Sequence, residues 1–359
     1  MLYAYKYISH SLETLQTYLD HLVLEVWCKA DEAYSLDLLH PKLKEIVLDF
    51  YYDDAIEKDY LDGPIKTIYA LFQDLSADQR NAIATAYRTN NDIESLCSDC
   101  NGCKPATYSS ITAISSRLSA ELRKFYKSLF TEVIHRKAVY SRLGSLDEHF
   151  NEFRKVNKHS YCPFCGLYRL KGVYHQNREA YDHFLPKATY PFNSVNFKNL
   201  APMCHECNST YKLAKNPLIS PRNRDPIHST DSRPRKAFYA YSETSPKVEI
   251  TLELATGDIE NLTPSDIELS LTSTDCDEEV STWDDIFRIK ERYKAIFCEE
   301  DDGKAWIDTI LSGASSKNLT PRQLYNEFIS AAEKRPFTDT NFLKKPFLEA
   351  CERKSLIPS

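Results

Sequence analysis

The sequence predicts an α+β fold in three parts. These are a mostly helical N-terminal domain over residues 1–155, a central cysteine-rich module over residues 156–225 and a smaller α+β C-terminal region over residues 226–359. Three observations support this prediction. Apolar residues recur at three- and four-residue intervals in the first part, paired cysteines interrupt that periodicity in the second, and two short segments of the third alternate between apolar and polar residues. A chain of 359 residues is long enough for two or three domains.

The N-terminal part is acidic, and its apolar periodicity indicates a bundle of helices. The segments SLETLQTYLDHLVLEVWCKA and SSRLSAELRKFYKSLFTEVIHRKAV carry the helical pattern, and Ser76 is a suitable N-cap for SADQRNAIATAYRTN. No glycine-rich phosphate-binding loop occurs anywhere in the chain, which argues against a P-loop or dinucleotide-binding protein.

The charge is distributed unevenly along the chain. The formal net charge is −7, but residues 151–240 contain 15 Lys or Arg against 6 Asp or Glu. A basic segment in an otherwise acidic protein is suited to an anionic ligand, and nucleic acid is the first candidate. Chance clustering on a solvated surface is the alternative. The stretch SPRNRDPIHSTDSRPRK, from Ser220 to Lys236, is expected to be an irregular basic linker.

The cysteines and the N-terminus indicate a reducing compartment. The first residues lack the apolar core of a signal peptide, and no apolar run is long enough to span a membrane. Seven of the eleven cysteines lie in CxxC-type spacings, which indicates metal ligands and buried thiols rather than disulfides. We therefore expect a cytoplasmic protein.

Two CxxC pairs predict a structural zinc site. Cys162 and Cys165 lie in YCPFCG, and Cys204 and Cys207 lie in MCHECNSTYK. Four thiolates in two pairs form the closed tetrahedral site of structural zinc, whereas unrelated buried cysteines are the alternative. The 38 residues between the pairs are too many for a simple zinc ribbon, so a further structure is expected there.

Residues between and after the cysteine pairs have the chemistry of a hydrolytic site. Asp182 and His183 are adjacent, and a neutral histidine is the usual general base near neutral pH. A carboxylate and an amide oxygen suit a hard cation such as Mg²⁺, which explains Asn208 directly after the last cysteine. If a helix starts near Cys204, Lys212 lies on the same face as Asn208 and can bind a phosphate.

Together, CPFCG, DHFLPK, NLAP and CHECNSTYK resemble the zinc-containing branch of the HNH endonucleases, which have the ββα-metal fold. The resemblance covers roughly residues 160–215. It implies that His183 activates water, that Asp182 and Asn208 bind one catalytic Mg²⁺ or Mn²⁺ ion, and that Asn199 braces the loop. Asn208 stands where the family name would want a histidine, a variant that the family also uses.

The resemblance implies hydrolysis of phosphodiester bonds, with DNA as the first substrate. Similar DHxLPKxxYP-type proteins occur in bacterial anti-phage systems beside an ABC- or SMC-type ATPase, so a partner of that kind is expected to control this chain. RNA, for example a transfer RNA, is an alternative substrate for the same site. A non-catalytic, zinc-stapled nucleic-acid-binding module is the other alternative. The cations expected to contact phosphates are Lys187, Lys198, Lys212, Lys215, Arg222 and Arg224.

A second, weaker cysteine motif lies in the N-terminal part. Cys97, Cys100 and Cys103 in CSDCNGC have ligand-like spacing but lack a fourth member. A second zinc completed by Cys28 or a distant residue, or an iron–sulfur site, is one interpretation. A loop with inert thiols is the other.

The C-terminal region combines strands and helices. KVEITLEL and DIELSL alternate as short strands, and STWDDIFRIKERYKAIF returns to a helical pattern. Its amphipathic part, WDDIFRIKERY, either docks a partner or packs this region against the central module. TPRQLYNEF predicts a short capped helix, and an irregular end is expected after it.

Overall fold

The computed structural model describes residues 1–51, 59–98, 102, 104–221, 232–316 and 318–358. The α+β prediction is confirmed, since helices dominate both flanking parts and the strands form small antiparallel pairs. The N-terminal α-helices are α1 (Thr14–His21), α2 (Pro41–Tyr51), α3 (Asp62–Gln73), α4 (Ala77–Asn91), α5 (Ile93–Ser98), α6 (Tyr108–Ile114), α7 (Ser116–Thr131), α8 (Lys137–Leu143) and α9 (Leu146–Val156). None of the helices in these described ranges is long and apolar enough to cross a membrane.

The predicted N-terminal helices form, with different boundaries. The N-cap prediction is confirmed, because the Ser76 hydroxyl accepts a hydrogen bond from the Gln79 backbone N–H. In turn, the Gln79 side-chain oxygen accepts one from the Ser76 backbone N–H. The long segment from Ser115 is not one helix: α7 ends at Thr131, a 3₁₀ turn covers Val133–His135, and α8 follows. Likewise, a wider π-helical turn over Leu22–Trp27 follows α1.

Within the described ranges, six strands form three antiparallel pairs. Strands β1 (Ala180–His183) and β2 (Leu200–Met203) are antiparallel, as are β3 (Ile219–Pro221) with β4 (Ser232–Pro234) and β5 (Glu249–Leu254) with β6 (Ile267–Thr272). The two C-terminal strands confirm the sequence prediction. The prediction of an irregular linker from Ser220 to Lys236 is wrong near both of its ends, because β3 and β4 pair there. The middle of that segment, residues 222–231, with Arg222 and Arg224, lies outside the described residues.

Two hydrophobic cores meet in the central module. One core contains most of the buried residues of the N-terminal helices, and five module residues belong to it. These five are Tyr181, Phe192, Val195, Phe197 and Leu200. The other core contains the four zinc-type cysteines, the C-terminal region and the first five residues of the chain. Residues 1–5 therefore pack against the central module and the C-terminal region. Leu2 N–H donates to the Pro163 carbonyl over 2.9 Å, and Tyr5 N–H donates to Ala240 over 2.8 Å.

The C-terminal helices hold this region against the module. They are α10 (Asp277–Phe287), α11 (Ile289–Cys298), α12 (Ala305–Ser316), α13 (Pro321–Lys334) and α14 (Asn341–Arg353). Arg288, in the left-handed conformation at φ 53°, separates α10 from α11. The Trp283 indole N–H donates to the Phe164 carbonyl over 2.7 Å and the side chain is buried, so WDDIFRIKERY packs this region against the module.

The irregular end expected after α13 is wrong, because α14 follows. Pro346 inside α14 removes one backbone hydrogen bond, a cost of about 3 kcal/mol or more in a helix interior. Leu343, Phe347, Leu348 and Cys351 are buried on the same helix. Each buried apolar side chain contributes about 1.5–3 kcal/mol, so packing outweighs the proline.

Candidate nuclease and zinc site

The four predicted zinc ligands form one buried cluster. The Sγ atoms of Cys162, Cys165, Cys204 and Cys207 all lie within 4.8 Å of one another, and Cys165 Sγ lies 3.9 Å from Cys204 Sγ. Tetrahedral zinc with Zn–S bonds of about 2.3 Å requires S–S distances of about 3.8 Å. Across the described parts of the chain, no other group of three or more His, Cys, Asp or Glu side chains is placed to share a metal. The cluster fits a structural Zn²⁺ ion.

Tight turns present the thiols of this cluster. Gly166 has φ +71°, and its N–H donates to the Cys162 carbonyl over 2.7 Å. A side chain there would also collide with Phe342, so both the turn and the packing require glycine. The backbone N–H of Leu167 points at Cys165 Sγ, and the backbone N–H of Cys207 points at Cys204 Sγ, each over 3.4 Å. Such N–H···S bonds stabilise thiolates.

Asp182 and His183 come from the last two residues of β1. Asp182 pairs with Ala201 and His183 pairs with Leu200 of β2. Neighbouring side chains on a regular strand point to opposite faces, but β1 ends at His183, and Pro186 follows in a turn. Both side chains are almost fully buried, at 4% and 6% exposure. The module thus has two antiparallel strands followed by a helix.

His183 has a defined orientation. Its Nε2 lies 2.8 Å from the Ser194 carbonyl oxygen, which can only accept a hydrogen bond. Nε2 therefore carries the proton. Burial, with Lys187 as a further cause, lowers the pKa of His183 to about 3, so the ring is neutral near pH 7. In a neutral ring protonated at Nε2, Nδ1 carries the lone pair that accepts a hydrogen bond.

Two side chains cover the Nδ1 side of His183. The Lys187 ammonium lies 3.4 Å from Nδ1 and 5.2 Å from the Phe130 ring centroid. The Phe130 ring packs edge-on against the imidazole, with centroids 4.4 Å apart. Phe130 belongs to α7 of the helical domain, and Arg123 on the same helix donates to the Ala188 carbonyl over 2.6 Å. The helical domain therefore lies directly over the candidate base.

Asp182 forms a buried ion pair with Lys212. The Lys212 ammonium lies 2.9 Å from Oδ2 and 3.2 Å from Oδ1 of Asp182, and donates to the His183 carbonyl over 3.0 Å. Burial raises the pKa of Asp182, while Lys212 opposes that rise. Lys212, which was expected to bind a phosphate, contacts Asp182 in this structure. Its side chain is 0% exposed, because the π-helical winding of Glu206–Lys212 brings it beneath β1.

The two asparagines of the motif lie in different environments. Asn199 is fully buried: its amide donates to the Leu185 carbonyl over 3.1 Å, and its Oδ1 accepts from the Leu185 N–H over 2.7 Å. It thus bridges the loop that follows His183. Asn208 lies half-buried in the helix after Cys207, where its backbone N–H donates to Cys204. Among the described residues, its side chain makes no hydrogen bond, so its amide oxygen is available to a metal ion.

Two of the remaining predicted cations, Lys198 and Lys215, are exposed. Lys215 is exposed and its ammonium donates to the Ile286 carbonyl over 2.9 Å, whereas Lys198 is exposed at the start of the turn before β2. The second cysteine motif lies partly outside the described residues, which omit Cys100 and Cys103. Cys97 belongs to the core of the four zinc-type cysteines and Cys28 packs against the core of the N-terminal helices, and the second metal site stays a prediction.

Sequence reasoning missed two contributors to this site. The Ser194 carbonyl orients His183, but a backbone carbonyl has no sequence signal. Phe130 lies 53 residues before His183, and its place in the apolar pattern of α7 predicted an ordinary core residue. Only the tertiary packing reveals either contact.

The comparison with known proteins gives a local similarity. A stretch of 43 residues is 49% identical to the Septu protein PtuB of Bacillus thuringiensis, covering 11% of this chain and 17% of that protein. The similarity therefore spans less than a fifth of that relative's length. No family model and no solved structure matches the chain.

Proposed function

We propose that this protein is an HNH-type, metal-dependent endonuclease that hydrolyses phosphodiester bonds in DNA and acts in anti-phage defence under the control of a partner. One observation carries the proposal. His183 is a neutral imidazole whose Nε2 proton is held by the Ser194 carbonyl, which leaves Nδ1 as the nitrogen that accepts a proton.

This tautomer suits a general base. A base must accept a proton at an atom that already has a lone pair, and a fixed ring orientation lowers the cost of reaching the reactive geometry. The Ser194 carbonyl also stabilises the imidazolium that forms when Nδ1 takes the proton. The Lys187 ammonium, 3.4 Å from Nδ1, would have to move aside before a water molecule could donate to that nitrogen.

Asp182 and Asn208 would hold the catalytic cation. One carboxylate and one amide oxygen suit Mg²⁺ or Mn²⁺, which take few protein ligands and keep several waters. When bound, the ion would neutralise charge on the phosphate and on the leaving oxygen. Lys212 already contacts both oxygens of Asp182 and would share that carboxylate.

The proton and bond changes follow from these positions. His183 Nδ1 removes a proton from a water molecule, and the water oxygen attacks the phosphorus. The bond from phosphorus to the 3′ oxygen breaks, the 3′ oxygen takes a proton from solvent and His183 returns its proton to solvent, which leaves a 5′-phosphate and a 3′-hydroxyl. Lys187, whose ammonium lies beside Nδ1, would bind a non-bridging phosphate oxygen.

The buried state of His183 supports control by a partner. At 6% exposure, its imidazole is inaccessible to a phosphodiester until Phe130 and Lys187 move away. A partner that shifts α7 relative to the module would open the site. The ABC- or SMC-type ATPase implied by the family resemblance is the partner we propose, and the similarity to a Septu protein supports the defence setting.

Cleavage by the purified protein tests this function. Wild type and His183→Ala are incubated with plasmid, single-stranded DNA and total RNA, each with Mg²⁺, Mn²⁺ or chelator. Both are also prepared in a Phe130→Ala background, which uncovers the site. We expect metal-dependent cutting of DNA that His183→Ala abolishes while zinc content is retained.

The control variant is His175→Ala, since His175 is an exposed histidine in the same module. It should cut like wild type. Cutting by His183→Ala at the wild-type rate would refute the assignment of the base. Cutting of RNA but not of DNA would make RNA the substrate. No cutting by the protein with or without Phe130→Ala would favour a zinc-stapled binding module.

A further inference from the structure

Arg292 of α11 is a buried cation beside the zinc-type cysteines. The residue is 6% exposed. One guanidinium nitrogen, Nη1, lies 3.5 Å from Cys207 Sγ and 3.3 Å from the Phe287 carbonyl. The guanidinium lies over the Tyr211 ring, 4.2 Å from its centroid. A residue of the C-terminal region therefore reaches a predicted metal ligand.

No acidic side chain of the described residues neutralises Arg292, because none lies within ion-pair distance of its guanidinium. A buried charge without a partner costs several kcal/mol, so a counter-anion is required. The anionic groups present are the thiolates.

A zinc ion with four thiolates is a centre with charge −2, which is unfavourable in a dry protein interior. The backbone N–H groups of Leu167 and Cys207 give this centre two neutral donors. We propose that Arg292 is its counter-cation and charged N–H···S donor. On this view the zinc site includes a residue of the C-terminal region, although its ligands all lie in the module.

The surroundings of Arg292 fix its direction. The left-handed Arg288 turns α11 away from the axis of α10. The Tyr293 hydroxyl then donates to the Cys165 carbonyl over 2.8 Å, which anchors α11 on the first cysteine turn. Stacking on Tyr211 holds the guanidinium plane, which the single ammonium of a lysine cannot reproduce.

Two measurements test this role, and neither uses cleavage, so the result is independent of the proposed nuclease. Zinc affinity is measured by competition with a chromogenic chelator. The thiolate-to-metal charge-transfer band is measured after replacement of zinc by Co²⁺. Removal of a hydrogen bond to a metal ligand commonly weakens metal binding about 10- to 100-fold. We expect Arg292→Gln to lose zinc affinity by that factor and to move the band to longer wavelength.

Tyr293→Phe is the matched control, since it removes a neighbouring bond from the same helix to a backbone carbonyl. Its charge-transfer band should match wild type. Arg292→Lys keeps the charge without the planar donor, and should shift the band while losing less affinity than Arg292→Gln. Wild-type affinity and spectrum in Arg292→Gln would overturn the proposal. A band shift in Tyr293→Phe equal to that in Arg292→Gln would also overturn it. If Arg292→Gln fails to fold, an unchanged charge-transfer band in Arg292→Lys would overturn it instead.

Discussion

Replacing Lys212 with methionine would leave the Asp182 carboxylate buried without its cation. Methionine keeps most of the apolar stem but removes an ammonium that contacts both oxygens of Asp182 and the His183 carbonyl. Water cannot replace those contacts, because the side-chain exposures of Lys212 and Asp182 are 0% and 5%. The substitution is therefore expected to destabilise the module strongly.

The magnitude follows from the burial of the pair. Removing one partner of a buried ion pair costs about 3–5 kcal/mol, since an uncompensated charge remains. The pair itself is not a large source of stability, because burial raises the pKa of Asp182 despite the attraction of Lys212. Replacing both residues should thus cost less than replacing Lys212 alone. Asp182→Asn together with Lys212→Met makes that comparison.

Urea unfolding of the zinc-loaded proteins, followed by circular dichroism, provides the assay. Wild type, the two single variants and the double variant form a cycle, and we expect a coupling energy above about 1 kcal/mol. Lys198→Met is the control: Lys198 is exposed, so its stability should stay within about 0.5 kcal/mol of wild type. Additive effects, or a Lys212→Met variant as stable as wild type, would refute the argument from the buried pair.

Two further predictions concern the helical domain. Phe130→Ala removes the ring that covers His183, so basal metal-dependent plasmid cleavage by the chain alone should rise on the order of tenfold; an unchanged rate would show that Phe130 does not limit access. The second prediction concerns His149, whose pKa burial lowers to about 3. Between about pH 3 and 6.5 the unfolded chain therefore binds more protons than the folded protein. The free energy of unfolding falls as the pH drops through that window. His149→Gln should remove about 2 kcal/mol of the stability loss between pH 7 and pH 5 in parallel urea titrations, and an acid sensitivity equal to that of wild type would contradict this.

The sequence was most informative where the signal is local. Each CxxC pair fixes two ligands within one turn, and the adjacency of Asp182 and His183 places them together without any tertiary information. The sequence was least informative about burial. Its i+4 spacing relates Lys212 to Asn208, but neither the π-helical winding nor the pairing with Asp182 can be read from that spacing.

Helix boundaries failed for a related reason. Local rules predict that a helix ends at Pro346 and that another continues through Arg288. In the structure α14 continues through Pro346, whereas the helix breaks at Arg288 between α10 and α11. In each case tertiary contacts decide. Apolar burial maintains α14 across the proline, whereas the docking of Trp283 and Tyr293 on the first cysteine turn requires the change of direction at Arg288.

The small central module is positioned by the two larger parts that flank it. A pair of four-residue strands cannot form a stable unit alone, and here each face of the pair contacts a different core. Tyr181 and Leu200 pack with the N-terminal helices, whereas Ala201 and Met203 pack with the zinc and C-terminal core. His183 lies where these two cores meet. A displacement of one core relative to the other would therefore change the surroundings of His183 while the four-cysteine cluster stays intact.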